Sequence, residues 1–466
     1  MIHPTVPSAP DRYCRLFAPF DDPLPPEIRN EKLEQLAKSM KTLQSPIPFP
    51  AWKSKPVGAG YTYFGQFIDH DLTEDRTPLR VAGLMEPRDT ENSRTCWLDL
   101  DNLYGHGPGC PIYGGLYKDE MFFRLGDPLV NGEAFDVPLT DGRPHLADSR
   151  NNENIIVRQV HALFLKLHNL AVIELKGTTP GLRPRDLFAK AQERVRSQYQ
   201  WLVRHDFLKK ICNQTVYQDV IDNGNRRIEW PGGFSIPVEF SQAAFRFGHS
   251  MVQAQYDLNR TTRQVPLSDL FAEANKGALD PKFAIDWNEF VEGDQRSMRI
   301  DTGVVEPLFN LPDEDISLFV DSQSSHSTNA LPLRTLIRGA ANRLPTGQQV
   351  RDKLCPDADM GSPVVVPDHP YDPWAILTKL EMERRVPLWY YILLEAEIDE
   401  NGLCLGTVGS RLVLEVVEGS LLADPNSFLY RFGNGWVPPP WKRPDGSDFQ
   451  IKTLLDVARL VGLARD

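Results

Sequence analysis

Residues 154–176 read NIIVRQVHALFLKLHNLAVIELK, and this stretch sets the class of fold. Val160, Leu163, Phe164, Leu167, Leu170 and Ala171 recur at intervals of three and four. That period marks one apolar face of an α-helix, and a strand would need a period of two. The flanking chain repeats the pattern. Helix is predicted over residues 183–211 (RPRDLFAKAQERVRSQYQWLVRHDFLKKI), 241–256 (SQAAFRFGHSMVQAQY), 331–342, 387–398 and 409–424. Strand signals are scarce: PIYGGLY at 111–117 and GEAFDVPLTDGRPHL at 132–146 suggest short strands or turns. The expected fold is therefore mainly α, a single large helical domain with long loops and little β structure. No repeat or linker divides residues 59–466. Residues 1–58 are Pro-rich (PFDDPLPPEI, SPIPFPAW) with one helical segment, EKLEQLAKSMKTL, and read as an N-terminal arm laid over that domain.

Bulk composition narrows the function. The 466 residues are 41% hydrophobic and 24% charged, ordinary values for a globular chain. A net charge of -12 argues against nucleic acid or an anionic membrane as the main partner. No run of 18 apolar residues exists, so no transmembrane segment is expected. The start, MIHPTVPSAPDRYCRLF, lacks a basic region followed by an apolar one, the mark of a Sec signal. The expected compartment is the cytoplasm, with secretion by a non-Sec route as the alternative. Cys14, Cys96, Cys110, Cys212, Cys355 and Cys404 show no CxxC spacing and read as reduced thiols.

The histidines carry the chemical question. In YFGQFIDHDLTED (63–75), His70 stands between Asp69 and Asp71. On a helix Gln66 and His70 share a face, Asp69 can reach the same side, and Asp71 turns about 100° away. A metal site, a tuned acid/base pair and a hydrated helix end all remain open from spacing alone. His161 and His168 lie about 10 Å apart along a helix, too far to share an ion, and read as structural. His249, in AAFRFGHSMV, is either a core residue or a ligand, and Gly248 beside it would let a flat group approach closely. DSRNNEN (148–154) reads locally as a capped helix start. TCWLDLDNLYG (95–105) alternates Thr95, Trp97, Asp99 and Asp101, hard oxygen donors suited to Ca²⁺ or an acidic surface turn.

Taken together these segments resemble the animal-type haem peroxidases of the peroxidase–cyclooxygenase superfamily, and the C-terminal helices look like its bacterial members. GQFIDHDLT is similar to that family's distal-histidine motif, ADSRNNEN to its catalytic-arginine motif, and AFRFGHSMV to its proximal-histidine motif. TCWLDLDNLYG resembles its calcium loop, and LPLRTLIRGAANRLP matches a segment after the proximal side more weakly. The four main motifs fall in the family's order between residues 60 and 252.

The resemblance implies a haem peroxidase that reduces H₂O₂ through a ferryl intermediate and oxidises small phenolic or (pseudo)halide donors. A haem-dependent biosynthetic oxygenase, dioxygenase or coupling enzyme with a dedicated substrate is the alternative. It implies His70 as distal acid/base residue, Gln66 as the neighbour that orders water, and Arg150 as distal arginine. His249 would ligate iron, while Arg246 and Arg338 would pair with the propionates of haem b. Asp69 and Glu153 match positions of ester bonds to haem. Asp71, Thr95, Trp97 through its carbonyl, Asp99 and Asp101 match calcium ligands. Three positions depart from the family. Asn154 stands where some members carry a haem-linked methionine, and Thr335 where an asparagine usually bonds the proximal histidine. Arg246 stands where the cyclooxygenase branch uses a tyrosine.

Overall fold

The computed structural model describes residues 12–42, 55–77, 90–127, 129–224, 226–230, 233–312, 329–358 and 373–466. The central helix, Ile155–Thr178, starts where expected, and Asn154 is the residue that starts it. The Asn154 backbone is extended, and its side-chain oxygen accepts from the amides of Ile156 and Val157 at 3.0 and 2.9 Å. This satisfies two of the four amides a helix leaves open at its N-terminus. The helix packs against Pro184–Leu202 on one side and Ala59–Leu72 on the other. Phe164 joins the three, stacked 5.2 Å from Phe67 and edge-on 5.6 Å from Tyr199. Among the described residues, strand content is confined to two-residue pairs such as Leu129–Val130 with Glu133–Ala134 and Leu139–Thr140 with Arg143–Pro144. The fold is mainly α, as expected.

Two expected helices differ in detail. The 183–211 segment is interrupted by a π turn at Val203–Phe207 before Leu208–Ile211. The wider turn brings two charged side chains inward together. Arg204 meets Glu418 at 2.8 Å, and Asp206 accepts from the Tyr61 hydroxyl and the Leu454 amide, both at 2.9 Å. The 241–256 segment is not one helix. A short helix, Val238–Ser241, gives way to a 3₁₀ turn at Ala244–His249, and Gln255–Tyr256 pairs with Val265–Pro266. Ala243 breaks the run at φ -140° and ψ -66°.

Residues preceding the Ala59–Leu72 helix grip the body at several points. Glu239 accepts from the amides of Leu16 and Phe17, each at 3.1 Å. The Pro26–Ser39 helix packs on Leu331–Ala341, and Lys41–Thr42 pairs in parallel with Val304–Val305. The SPIPFPAW stretch lies outside the described residues. No helix among the described residues is long and apolar enough to cross a membrane.

His168 illustrates how this core handles buried imidazoles. It is held by the Tyr104 hydroxyl at 3.0 Å and the Met121 carbonyl at 2.9 Å, and burial lowers its pKa from 6.5 to about 4. Between these values the unfolded chain binds a proton that the folded chain refuses, so this residue's contribution makes stability fall on acidification. His168→Gln is expected to make the pH dependence of stability shallower by about 1.4 kcal/mol per pH unit between pH 6.5 and 4. Urea titrations of both proteins at several pH values check this. Parallel curves would mean that His168 titrates normally in the fold.

Candidate active site

The Ala59–Leu72 helix presents Gln66, Asp69 and His70 toward the Ser149–Asn152 turn. His70 is buried, and its Nδ1 lies 2.9 Å from Asn151 Oδ1. Its Nε2 lies 3.9 Å from Glu153 Oε2. The Gln66 amide donates to the same Glu153 oxygen at 2.9 Å, and Asn154 Nδ2 donates to Gln66 Oε1 at 3.2 Å. Burial, helped by the positive charge of Arg150, pushes the His70 pKa down to about 4, so the ring is neutral near pH 7.

Arg150 is fastened to the same helix end. Its guanidinium donates to the carbonyls of His70 and Thr73 at 2.9 and 2.7 Å and to Asp148 at 2.6 Å. These last carbonyls of the helix have no partner within it, so Arg150 also serves as their cap. Burial alone would raise the Asp148 pKa, but Arg150 reverses this and holds the carboxyl well below the usual range. Asp69 accepts from the Thr73 hydroxyl at 3.1 Å. Burial raises its pKa against the opposing pull of Arg246 and Arg150.

Asp71 points the other way. It is fully buried, and among the described residues neither carboxylate oxygen makes a well-formed hydrogen bond, although the Leu100 amide and Tyr199 hydroxyl lie near enough to oppose the rise in its pKa. One oxygen each from Asp71, Asp99 and Asp101 lie within 4.8 Å of one another. Burial and mutual repulsion push Asp71 well above its ordinary pKa and Asp101 to about 7, while burial pushes Asp99 to about 6. The Thr95 hydroxyl is also buried; it makes no well-formed hydrogen bond among the described residues but lies near enough to Asp99 to oppose the rise in its pKa. The loop holds this shape with left-handed backbone at Cys96 and Leu100 (φ 61° and 63°). Gln200 and Ser420 secure it by donating to the carbonyls of Leu98 and Cys96 at 2.9 and 3.0 Å. The Trp97 ring packs 5.6 Å from Phe234. Orphaned oxygens around a triad of repelling carboxylates fit a hard divalent cation.

The Ala244–His249 turn packs against the Ala59–Leu72, Leu388–Glu400 and Thr407–Ala423 helices. It thus brings His249 to the same helix that carries His70. His249 Nδ1 is buried with no hydrogen-bond partner among the described residues. The Trp389 ring stands edge-on 5.9 Å from the imidazole and donates its Nε1 proton to the Arg246 carbonyl at 3.1 Å. A Cβ added at Gly248 would meet nothing within 4 Å, so space is open beside the histidine. Arg246 donates to the Ser241 carbonyl and Gln242 Oε1 and forms no ion pair among the described residues. An orphaned imidazole nitrogen, open space and a guanidinium in no direct ion pair fit a flat, anionic, iron-bearing group such as haem.

Two expected residues are otherwise engaged. Arg338 is paired with Asp75 at 2.7 Å, and Asp75 also accepts from Gln242 at 3.1 Å. The Thr335 hydroxyl donates to the Leu331 carbonyl of its own helix at 2.9 Å, so it gives His249 no partner. No sequence signal marks Asn151, whereas His161 is the buried, hydrogen-bonded histidine its helical spacing suggests. Asn151 touches both imidazoles, reaching His161 Nδ1 with its Nδ2 at 3.0 Å.

Residues 132–307 match the family model described as animal haem peroxidase. That segment holds Arg150, Glu153, Arg246 and His249, whereas His70 and the 95–101 loop precede it. The peroxidase-like protein of Margaritifera margaritifera is 29% identical over 264 residues, 42% of this chain and 32% of that protein. The chain thus spans about a third of that relative's length. Peroxidase A from Dictyostelium discoideum superposes with a TM-score of 0.63 at 16% identity, over 98% of this chain and 94% of that one. Fatty acid alpha-dioxygenase from Oryza sativa gives 0.65 at 13% identity, over 97% and 79%. At these identities the structural likeness is one of fold.

Proposed function

Because the chain belongs to the peroxidase–cyclooxygenase superfamily, we propose that it is a haem peroxidase that reduces H₂O₂ and oxidises small phenolic or (pseudo)halide donors. The observation that carries this reading is a buried, neutral His70 anchored by one ring nitrogen to Asn151, with Arg150 fixed beside it. His249 would hold the haem, with Arg246 and, after release from Asp75, Arg338 meeting its propionates. Bound haem supplies the iron that takes the peroxide oxygen and the oxidising equivalents passed to the donor. The chain handles the proton. His70 Nε2 takes it from the attacking peroxide oxygen and returns it to the leaving oxygen. Arg150 keeps a fixed positive charge nearby, which holds the imidazole neutral and opposes charge building on the leaving oxygen. Gln66 and Glu153 border the path and orient water. Asp69 and Glu153 are the candidate ester positions.

Haem-supplied protein should show a Soret band that changes on adding H₂O₂, and acid–acetone should leave the haem with the chain. A colourless protein, or a band indifferent to peroxide, would overturn the peroxidase reading. Haem that partitions freely into the solvent would remove the esters only.

The Asp71–Asp99–Asp101 triad, with Thr95 and the Trp97 carbonyl, is proposed as a calcium site that anchors the residue after His70. An ion that binds only the folded chain stabilises it by about 2.7 kcal/mol at 100 times its Kd. Chelation is therefore expected to lower the melting temperature, and calcium to restore it. Asp71→Ala should abolish that response. A chelator-insensitive wild type would refute the site.

A further inference from the structure

We propose that Asn151, itself oriented by His161, sets the tautomer of His70, keeping the ring proton on Nδ1 and the lone pair on Nε2. The inference rests on reading His70 as the acid/base residue. Asn151 is completely buried in the Ser149–Asn152 turn. Its Oδ1 lies 2.9 Å from His70 Nδ1 and its Nδ2 lies 3.0 Å from His161 Nδ1. An amide oxygen only accepts, so His70 Nδ1 must carry the proton. An amide nitrogen only donates, so His161 Nδ1 must offer its lone pair. The three groups therefore form a chain with a direction. Burial pushes His161 down to about 3, so it remains a neutral acceptor across ordinary pH. Reversing the amide would move the His70 proton to Nε2, the nitrogen 3.9 Å from Glu153 Oε2. A ring protonated there cannot take a proton from peroxide. Asn151 and His161 are positioning residues that act through His70.

The test uses full-length, haem-loaded protein labelled with ¹⁵N-histidine, in its reduced, diamagnetic carbon monoxide complex. The expected His70 resonances, assigned by their loss in His70→Gln, have the proton on Nδ1. Asn151→Ala should mix the tautomers and slow the stopped-flow reaction with H₂O₂ roughly 10- to 100-fold, by analogy with the cost of removing the partner that orients a metal-bound histidine. Its ferric Soret band should not move. His161→Leu should act in the same direction, while His161→Gln, which can still offer an acceptor oxygen, should restore rate and tautomer. A wild-type His70 protonated on Nε2 overturns the proposal even if no Asn151 or His161 variant folds. So does a His161→Leu protein with wild-type tautomer and rate. Protein inert to peroxide with His70 protonated on Nδ1 would leave this inference standing and remove the peroxidase reading instead.

Discussion

His70→Ala is expected to slow the reaction of the haem-loaded protein with H₂O₂ by roughly 10²- to 10⁴-fold, the range for losing a positioned acid/base group. That corresponds to about 2.7–5.5 kcal/mol of barrier. The reasoning starts from protonation. Peroxide must lose a proton on one oxygen and gain it on the other, and a single neutral imidazole within reach of both can do this. Burial and Arg150 keep His70 neutral, and Asn151 holds one nitrogen. Gln66 and Glu153 cannot replace it: an amide does not titrate, and the Glu153 oxygen nearest the ring already accepts from Gln66. Stopped-flow spectra at several peroxide concentrations give the second-order rate constant. The ferric spectrum and melting temperature separate lost chemistry from lost folding. A folded, haem-bearing His70→Ala protein that reacts at the wild-type rate would contradict the assignment.

His249→Ala should be costlier for the cofactor. The lost bond is the axial one, so affinity should fall by more than the roughly 10- to 100-fold typical of losing an outer partner. What remains is Arg246, the competed Arg338 and whatever esters form. Haem titration followed at the Soret band reads the affinity, and added imidazole should restore much of it by filling the space left by the side chain. Undiminished affinity with an unchanged spectrum would show that iron is ligated elsewhere. The same variant removes an imidazole whose Nδ1 has no partner among the described residues. The chain itself should therefore lose little stability, and unfolding of the haem-free protein separates the two effects.

Much of this arrangement was legible in the sequence because it is written in helical spacing. The three-and-four recurrence through Val160 and Leu167 fixed the central helix within a residue or two. The turn between neighbouring residues is enough to send Asp69 and Asp71 to different sides of the helix, and they do face different neighbours; the tasks assigned to them come from the family resemblance and not from spacing. Other features depend on contacts that spacing cannot encode. The Asn151 link joins a 3₁₀ turn to two different helices. The break at Ala243 is a tertiary choice, because the residues around it carry good helical propensity. Asp75 and Arg338 are far apart in sequence, so their pairing was invisible until the chain was folded. The DSRNNEN stretch reads locally as one capped helix start, whereas it holds two caps: Asp148 for the 3₁₀ turn and Asn154 for the long helix.

One consequence concerns insertions and deletions. Asp69, His70 and Asp71 are consecutive, yet each answers to a different neighbour: Thr73 and the arginines, Asn151, and the acidic loop. Each step along a helix advances the side-chain direction by about 100°. Substituting one of the three disturbs one partner. Adding or removing a single residue just before them would impose a phase error on all three at once, and no side-chain adjustment could correct it. The segment should thus accept changes of letter far more readily than changes of length.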